Sequence, residues 1–171
     1  MPSHIIAAEV PVSSDIAKQL QGADFFDCYE MPFEHAGRSA LEIYLGMVRG
    51  TPAWVDFLMA TRNRVVSLLG IKNLGHLGEL QKTKEASEYR VGDRVGIFSL
   101  LSLSDNEIIL GDSDKHLDVK VSICMFSRGG EDTLATTTVV HIHNLLGHAY
   151  MLLVVPFHKR IVPAVLARAG R

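Results

Sequence analysis

The sequence predicts an α+β domain in which an antiparallel sheet wraps around, or lies against, a long C-terminal helix. Three observations carry this. From Arg94 onward the apolar residues recur with a period of two in four segments. Two segments between Ser39 and Gly70 recur with the helical period instead. A final helical region then runs from Leu145 to Arg168 with a capping residue in front of it.

Taken in order, Ser13 to Gln21 is a short polar segment with room for one helical turn, capped by Ser13 or Ser14. Phe25 to Phe33 reads as a strand whose end Pro32 confines to an edge or a bend. Ser39-Ala40-Leu41-Glu42 is a capping box, and Leu41, Tyr44, Leu45 and Val48 follow at helical spacing until Gly50. Thr51-Pro52 opens a second helix, with proline where the helix has an orphan N–H anyway. Trp54, Phe57, Leu58, Val65, Leu68 and Leu69 share one face of it, the expected core face, and Gly70 ends it.

Ile71 to Val91, rich in Gly, Lys and Glu, either hides short strands or forms a lid. Arg94 to Leu103, Glu107 to Gly111, His116 to Phe126 and Thr133 to His143 are the four strands, separated by turn-forming residues. In the third, Leu117, Val119, Val121, Ile123 and Met125 alternate with Asp118, Lys120 and Ser122. One sheet face is therefore expected buried and the other wet. On that pattern Cys124 points to the wet side, and Glu107 and Asp118 are solvated carboxylates. Asn144 caps the last helical region, where Pro156 and Pro163 predict a kinked helix, or two helices meeting near Val155-Pro156.

The chain has 171 residues, long enough for one self-sufficient core, so residues 1–171 are read as a single domain with 1–22 as an N-terminal extension. Lys plus Arg is 17 against 19 Asp plus Glu, which excludes the basic footprint of a nucleic-acid binder. With 47% apolar and 21% charged residues, disorder is excluded as well. Cys28 and Cys124, the two cysteines, stand apart in apolar runs and are expected to be free thiols in a reducing, cytoplasmic setting. The N-terminus shows no basic region followed by an apolar one. The run Leu145 to Phe157, interrupted by His148 and Pro156, is too short to span a bilayer.

Several motifs occur in a characteristic order. They are Pro52-Ala53-Trp54-Val55-Asp56-Phe57-Leu58-Met59-Ala60-Thr61-Arg62-Asn63, Val91-Gly92-Asp93-Arg94-Val95-Gly96 and Asn106-Glu107-Ile108-Ile109-Leu110-Gly111. After these come Asp114-Lys115-His116-Leu117-Asp118, His143-Asn144-Leu145-Leu146-Gly147 with Tyr150, and Pro156-Phe157-His158. From about Ala23 onward the chain resembles a bacterial domain-of-unknown-function family. Members of that family also occur C-terminal to NAD(P)-binding short-chain-dehydrogenase-like domains. The family in turn resembles the helix-grip superfamily of START, pollen-allergen and polyketide-cyclase-like proteins. The resemblance implies a helix-grip-like fold, a curved sheet closing on a long helix around an apolar cavity, and it transfers no catalytic residues. The chain has no Gly-x-Gly-x-x-Gly after a strand, so no dinucleotide or other cofactor is expected.

Seven residues stand out as ligand-binding candidates: Trp54, Arg62, His116, His141, His143, Tyr150 and His158. His141 and His143, two apart on a strand, point to one face, toward cavity or solvent. No Cys or carboxylate completes a zinc spacing with them, so no metal site is expected. Either could act as a general base if the sheet brought it to Glu107 or Asp114. Trp54 shares its spacing with Phe57 and Leu58 and reads more readily as core. Arg62, at the edge of that stripe, could reach an anionic head group. No nucleophile motif is present.

Three readings follow. The first is a binding module for an apolar or amphipathic small molecule held between sheet and last helix. The second is a cyclase, isomerase or hydrolase using His141, His143 or His158 as acid or base. The third is an accessory partner of an oxidoreductase. Neither nucleic acid nor a membrane span enters any of them, and oligomeric state stays open, a homodimer being the common case.

Overall fold

A computed structural model describes residues 4–68 and 84–170. The strands are β1 (Ile6–Ala7), β2 (Phe25–Pro32), β3 (Arg94–Val95), β4 (Phe98–Leu103), β5 (Glu107–Ser113), β6 (Leu117–Arg128) and β7 (Glu131–Ile142). The helices are α1 (Ala40–Arg49), α2 (Ala53–Leu68) and α3 (Leu145–Leu166). Among the described residues every strand pairing is antiparallel, in the order β1-β2-β7-β6-β5-β4-β3. This curved seven-stranded sheet with a long C-terminal helix is the expected α+β, helix-grip-like architecture.

Local chemistry explains the helix starts. The Ser39 hydroxyl accepts from the Glu42 N–H while the Glu42 carboxylate accepts from the Ser39 N–H, the full capping box before α1. The bonds that the Ser39 N–H and then its hydroxyl donate to this carboxylate hold the Glu42 carboxyl below its ordinary range. Asn144 caps α3, its Oδ1 accepting from Gly147 N–H at 3.0 Å and its Nδ2 donating to the Lys115 carbonyl at 2.9 Å. It thus ties the helix start to the β5–β6 turn. Asn144→Ala should cost about 1–2 kcal/mol in urea unfolding, since both bonds go at once.

α3 runs unbroken through Pro156 and Pro163, so the two-helix alternative does not hold. It also extends well beyond the Leu145–Phe157 run. By length and composition alone, the whole helix is long and apolar enough to cross a membrane. Met151, Val165 and Leu166 nonetheless bury themselves, the last two in the main core with Leu41, Tyr44, Met47 and Val48 of α1.

Three expectations need correction, and a further one falls largely outside the described residues. Arg94 to Leu103 is not one strand: Gly96, at φ 65°, folds it into the short β3–β4 hairpin. The stretch 71–91, expected to hide short strands or form a lid, lies largely outside the described residues, and what is described there is a 3-10 turn at Ala86–Glu88. Trp54 and Phe57 are exposed rather than buried, because α2 turns Val55 and Asn63 inward instead.

The third correction concerns the supposed wet face of the sheet, which is covered. The N-terminal extension lays a 3-10 helix, Asp15–Gln19, across it, and Ile16 packs there with Ile109 and Val139. Ser122, Cys124 and Glu107 are buried beneath it. The Glu107 carboxylate accepts from the N–H groups of Asp15 (2.6 Å) and Ile16 (3.2 Å) and from the Ser122 hydroxyl (2.7 Å). A residue read as a solvated strand carboxylate is instead the clasp for residues 15 and 16. Burial, with the Glu107 charge second, pushes the Cys124 thiol up to about 12, and burial raises Cys28 as well. Both are free, buried and protonated, hence poor nucleophiles.

Candidate functional site

The opposite face of the sheet, the one α1 and α3 cover, is built by strand register. Val119, Val121 and Ile123 of β6 stand opposite Val140, Thr138 and Thr136 of β7. The same three β7 residues stand opposite Phe25, Asp27 and Tyr29 of β2. Because side chains alternate along a strand, all nine point to one side. Between this wall and the helices lies a cavity of about 550 Å³. Its other walls come from Tyr44 and Met47 of α1, Leu58 and Met59 of α2, and Val154 and Ile161 of α3.

The lining is overwhelmingly apolar, and its polar groups are few and placed. Arg62 donates from Nε to the Tyr150 hydroxyl at 2.8 Å and from Nη1 to Asn63 Oδ1 at 2.8 Å, with its guanidinium 5.2 Å from the centroid of the Tyr150 ring. This contact links α2 to α3 along the cavity wall. His158 Nε2 lies 3.1 Å from Asp27 Oδ1, and the Phe25 ring meets the imidazole edge-on at 5.7 Å. With Nε2–H directed at the carboxylate, Nδ1 is left as the acceptor, the arrangement that orients a general base. The hydroxyl oxygens of Tyr44, Thr136 and Thr138 and Oδ2 of Asp27 are buried with no hydrogen-bond partner among the described residues. Burial raises the Tyr44 phenol far above its ordinary value, so it stays a neutral donor and acceptor.

Of the seven candidate residues, Arg62, Tyr150 and His158 line this cavity. The other four do not. Trp54 projects from the outer side of α2. His141 Nε2 sits 3.2 Å from the Gln21 carbonyl, toward the N-terminal extension. His143 pairs with Asp118 at 3.2 Å. Burial raises the Asp118 carboxyl, but hydrogen bonds from Ser113 and His143 outweigh it and leave it below its ordinary range. The pairing of His141 or His143 with Glu107 or Asp114 is not formed. Glu107 serves the clasp, and Asp114 Oδ1 accepts from the N–H groups of His116 and Leu117.

His116 has a structural task. Its N–H is held by Asp114, its Nδ1 lies 3.0 Å from Asn144 Nδ2, and its carbonyl accepts from His143 N–H at 2.8 Å. It forms the joint between sheet and α3. Among the described residues no group of three His, Cys, Asp or Glu side chains could hold a metal ion.

Sequence reasoning missed Asp27, Tyr44, Thr136 and Thr138. Asp27 carried a signal, being a carboxylate at an inward position of a strand otherwise flanked by aromatic residues. Its partner, more than a hundred positions away on α3, could not be read from spacing.

A second, more polar cleft near His35, Arg38, Arg90 and Asp105 is less promising. Arg38 Nε donates to the His35 carbonyl at 3.3 Å, and Arg90 Nη1 to the Ser87 and Tyr89 carbonyls at 2.6 and 2.8 Å. Both cations are already engaged by the protein's own backbone.

No curated protein matches the chain. A family model does, over residues 19–165, which takes in every element described above from β2 to nearly the end of α3. The chain belongs to the family described as protein of unknown function (DUF2867).

Proposed function

We propose that the protein binds an apolar or amphipathic small molecule in the cavity between the sheet and α3. The observation that carries this is the cavity itself. At about 550 Å³, with apolar walls and a few polar groups, it falls in the size range of small-molecule sites, ~300–1,000 Å³. A hydroxyl or carbonyl on the ligand would supply the partner that Tyr44, Thr136 and Thr138 do not find among the described residues, which favours an amphipathic molecule over a pure hydrocarbon. The resemblance to helix-grip proteins of the START and polyketide-cyclase kind points the same way, and free buried thiols suit a reducing, cytoplasmic setting.

Native mass spectrometry of freshly purified protein, followed by denaturing extraction, tests this. Excess mass that disappears on denaturation is the expected result. Added long-chain alcohols or ketones should raise the Tm by roughly 5–10 °C at a hundredfold excess over Kd. A bare mass together with an unmoved Tm across such a panel counts against the reading.

One pair favours a second reading, an enzyme of the cyclase, isomerase or hydrolase kind. His158 lines the cavity and has a carboxylate partner in Asp27, the geometry of an oriented acid–base. His158→Gln would then abolish turnover while leaving ligand binding within a few-fold. The accessory reading, a partner of an oxidoreductase, has no residue here that speaks for it.

A further inference from the structure

α3 has an unusual outer surface for a helix built into a core. Only 17% of its apolar length is buried. Leu145 is 86%, Leu152 79% and Leu153 60% exposed, and Pro156 and Phe157 continue the same side one turn on. On α2, Phe57 is 71% exposed and Trp54 stands beside it. Leu153 and Phe157 are also cavity-lining residues, so this apolar surface forms the rim of the cavity. Single exposed apolar side chains are ordinary, whereas a set gathered around one opening marks a docking surface.

Charge says what docks there. α3 contains no Asp or Glu, and α2 contains one, Asp56. Against it stand Arg62 and Arg64 on α2 and Lys159 and Arg160 on α3, of which Arg64, Lys159 and Arg160 are exposed. On these two helices a chain of net charge −2 has therefore gathered an excess of positive charge, the two aspartates that line the cavity, Asp112 and Asp114, belonging to β5 and the β5–β6 turn instead. Apolar side chains bordered by exposed Lys and Arg match an anionic bilayer surface, with the apolar groups at acyl depth and the cations among the head groups.

We propose that the protein docks peripherally on anionic lipid membranes through the outer faces of α2 and α3, the cavity rim toward the lipid. α3 does not span the bilayer in this arrangement. Met151, Val165 and Leu166 remain in the core, and Asn144 keeps the helix start tied to the sheet. The proposal does not rest on the cavity being occupied.

Co-sedimentation with vesicles tests it. The full chain should pellet with phosphatidylglycerol–phosphatidylcholine vesicles and much less with phosphatidylcholine alone, and high salt should release it. Leu152→Ser with Phe57→Ser removes two exposed side chains that do not line the cavity. Lys159→Glu with Arg160→Glu reverses two exposed charges. Each pair should weaken binding at least about tenfold with an unchanged thermal melt. No pelleting, or pelleting indifferent to lipid charge and to both variant pairs, overturns the proposal. So does a dimer in solution that Leu152→Ser with Phe57→Ser dissolves, since a second copy would then be what covers the rim.

Discussion

Gly147→Ala should lower the unfolding free energy by about 2–3 kcal/mol, against the usual direction of that change in a helix. Alanine is ordinarily favoured over glycine there by about 1 kcal/mol, because glycine loses more backbone freedom on folding. Gly147 lies in the first turn of α3, pressed against the sheet. A Cβ placed on it would overlap the His116 carbonyl oxygen and sit 2.8 Å from Ile142 Cγ2. The nearer of these is backbone, already fixed by its bond from His143 N–H, and cannot swing aside as a flexible side chain would. The steric cost therefore exceeds the gain in helix propensity. Urea unfolding, checked by far-UV circular dichroism, decides it. A variant as stable as the parent, or more so, would show that α3 is free to lift off this joint.

Glu107→Ala should be the most damaging single change to the other side of the sheet, at about 3 kcal/mol. The carboxylate accepts from two backbone N–H groups and the Ser122 hydroxyl. Ile16 and Ser122 are both fully buried, so their donors would be left without water or partner. The exposed Asp15 can hydrate its own N–H, which keeps the loss below the sum for three orphaned donors. Glu107→Gln retains an acceptor oxygen and should cost about 1 kcal/mol. Hydrogen exchange locates the effect: with alanine, amides near Ile16 and Leu20 should lose protection well before those of β6 and β7. If all amides loosen together, Glu107 supports the whole sheet rather than clasping the extension. Lys120, whose Nζ donates to Gln19 Oε1 at 2.5 Å, provides a second tie that should survive the change.

These two positions also show where the reading of residues in sequence holds and where it stops. The motif His143-Asn144-Leu145-Leu146-Gly147 marks the start of α3 from sequence, because a cap acts over three positions. That its glycine is required by the His116 carbonyl is invisible there, since the contact joins two separate elements. Glu107 was misread for the same reason. In an alternating strand a carboxylate belongs on the wet side, unless another segment covers that side. The covering segment here is short and polar, with Ile16 as its one fully buried apolar residue. α2 failed differently, because its apolar residues permit two stripes. Of the expected set, Trp54 and Phe57 are turned outward while Leu58 lines the cavity.

Of the candidate site, Arg62, Tyr150 and His158 were legible as polar residues within apolar helical runs. The Asp27–His158 pair and the hydroxyls of Tyr44, Thr136 and Thr138 were not, because β2 and β7 become neighbours only when the sheet forms. His141 and His143 were the more conspicuous pair, and tertiary structure sends both elsewhere.

By itself, then, the sequence determined what depends on near neighbours: the capping box of α1, the cap of α3, the turns between β5, β6 and β7, and the alternation within each strand. These are set by hydrogen bonds and steric preferences spanning a few residues. Only the tertiary structure decided which sheet face meets which cover, which stripe of α2 turns inward, and which histidine gains a carboxylate. Those outcomes depend on contacts between residues as far apart as Asp27 and His158, where burial is shared among elements and no local pattern records the partner.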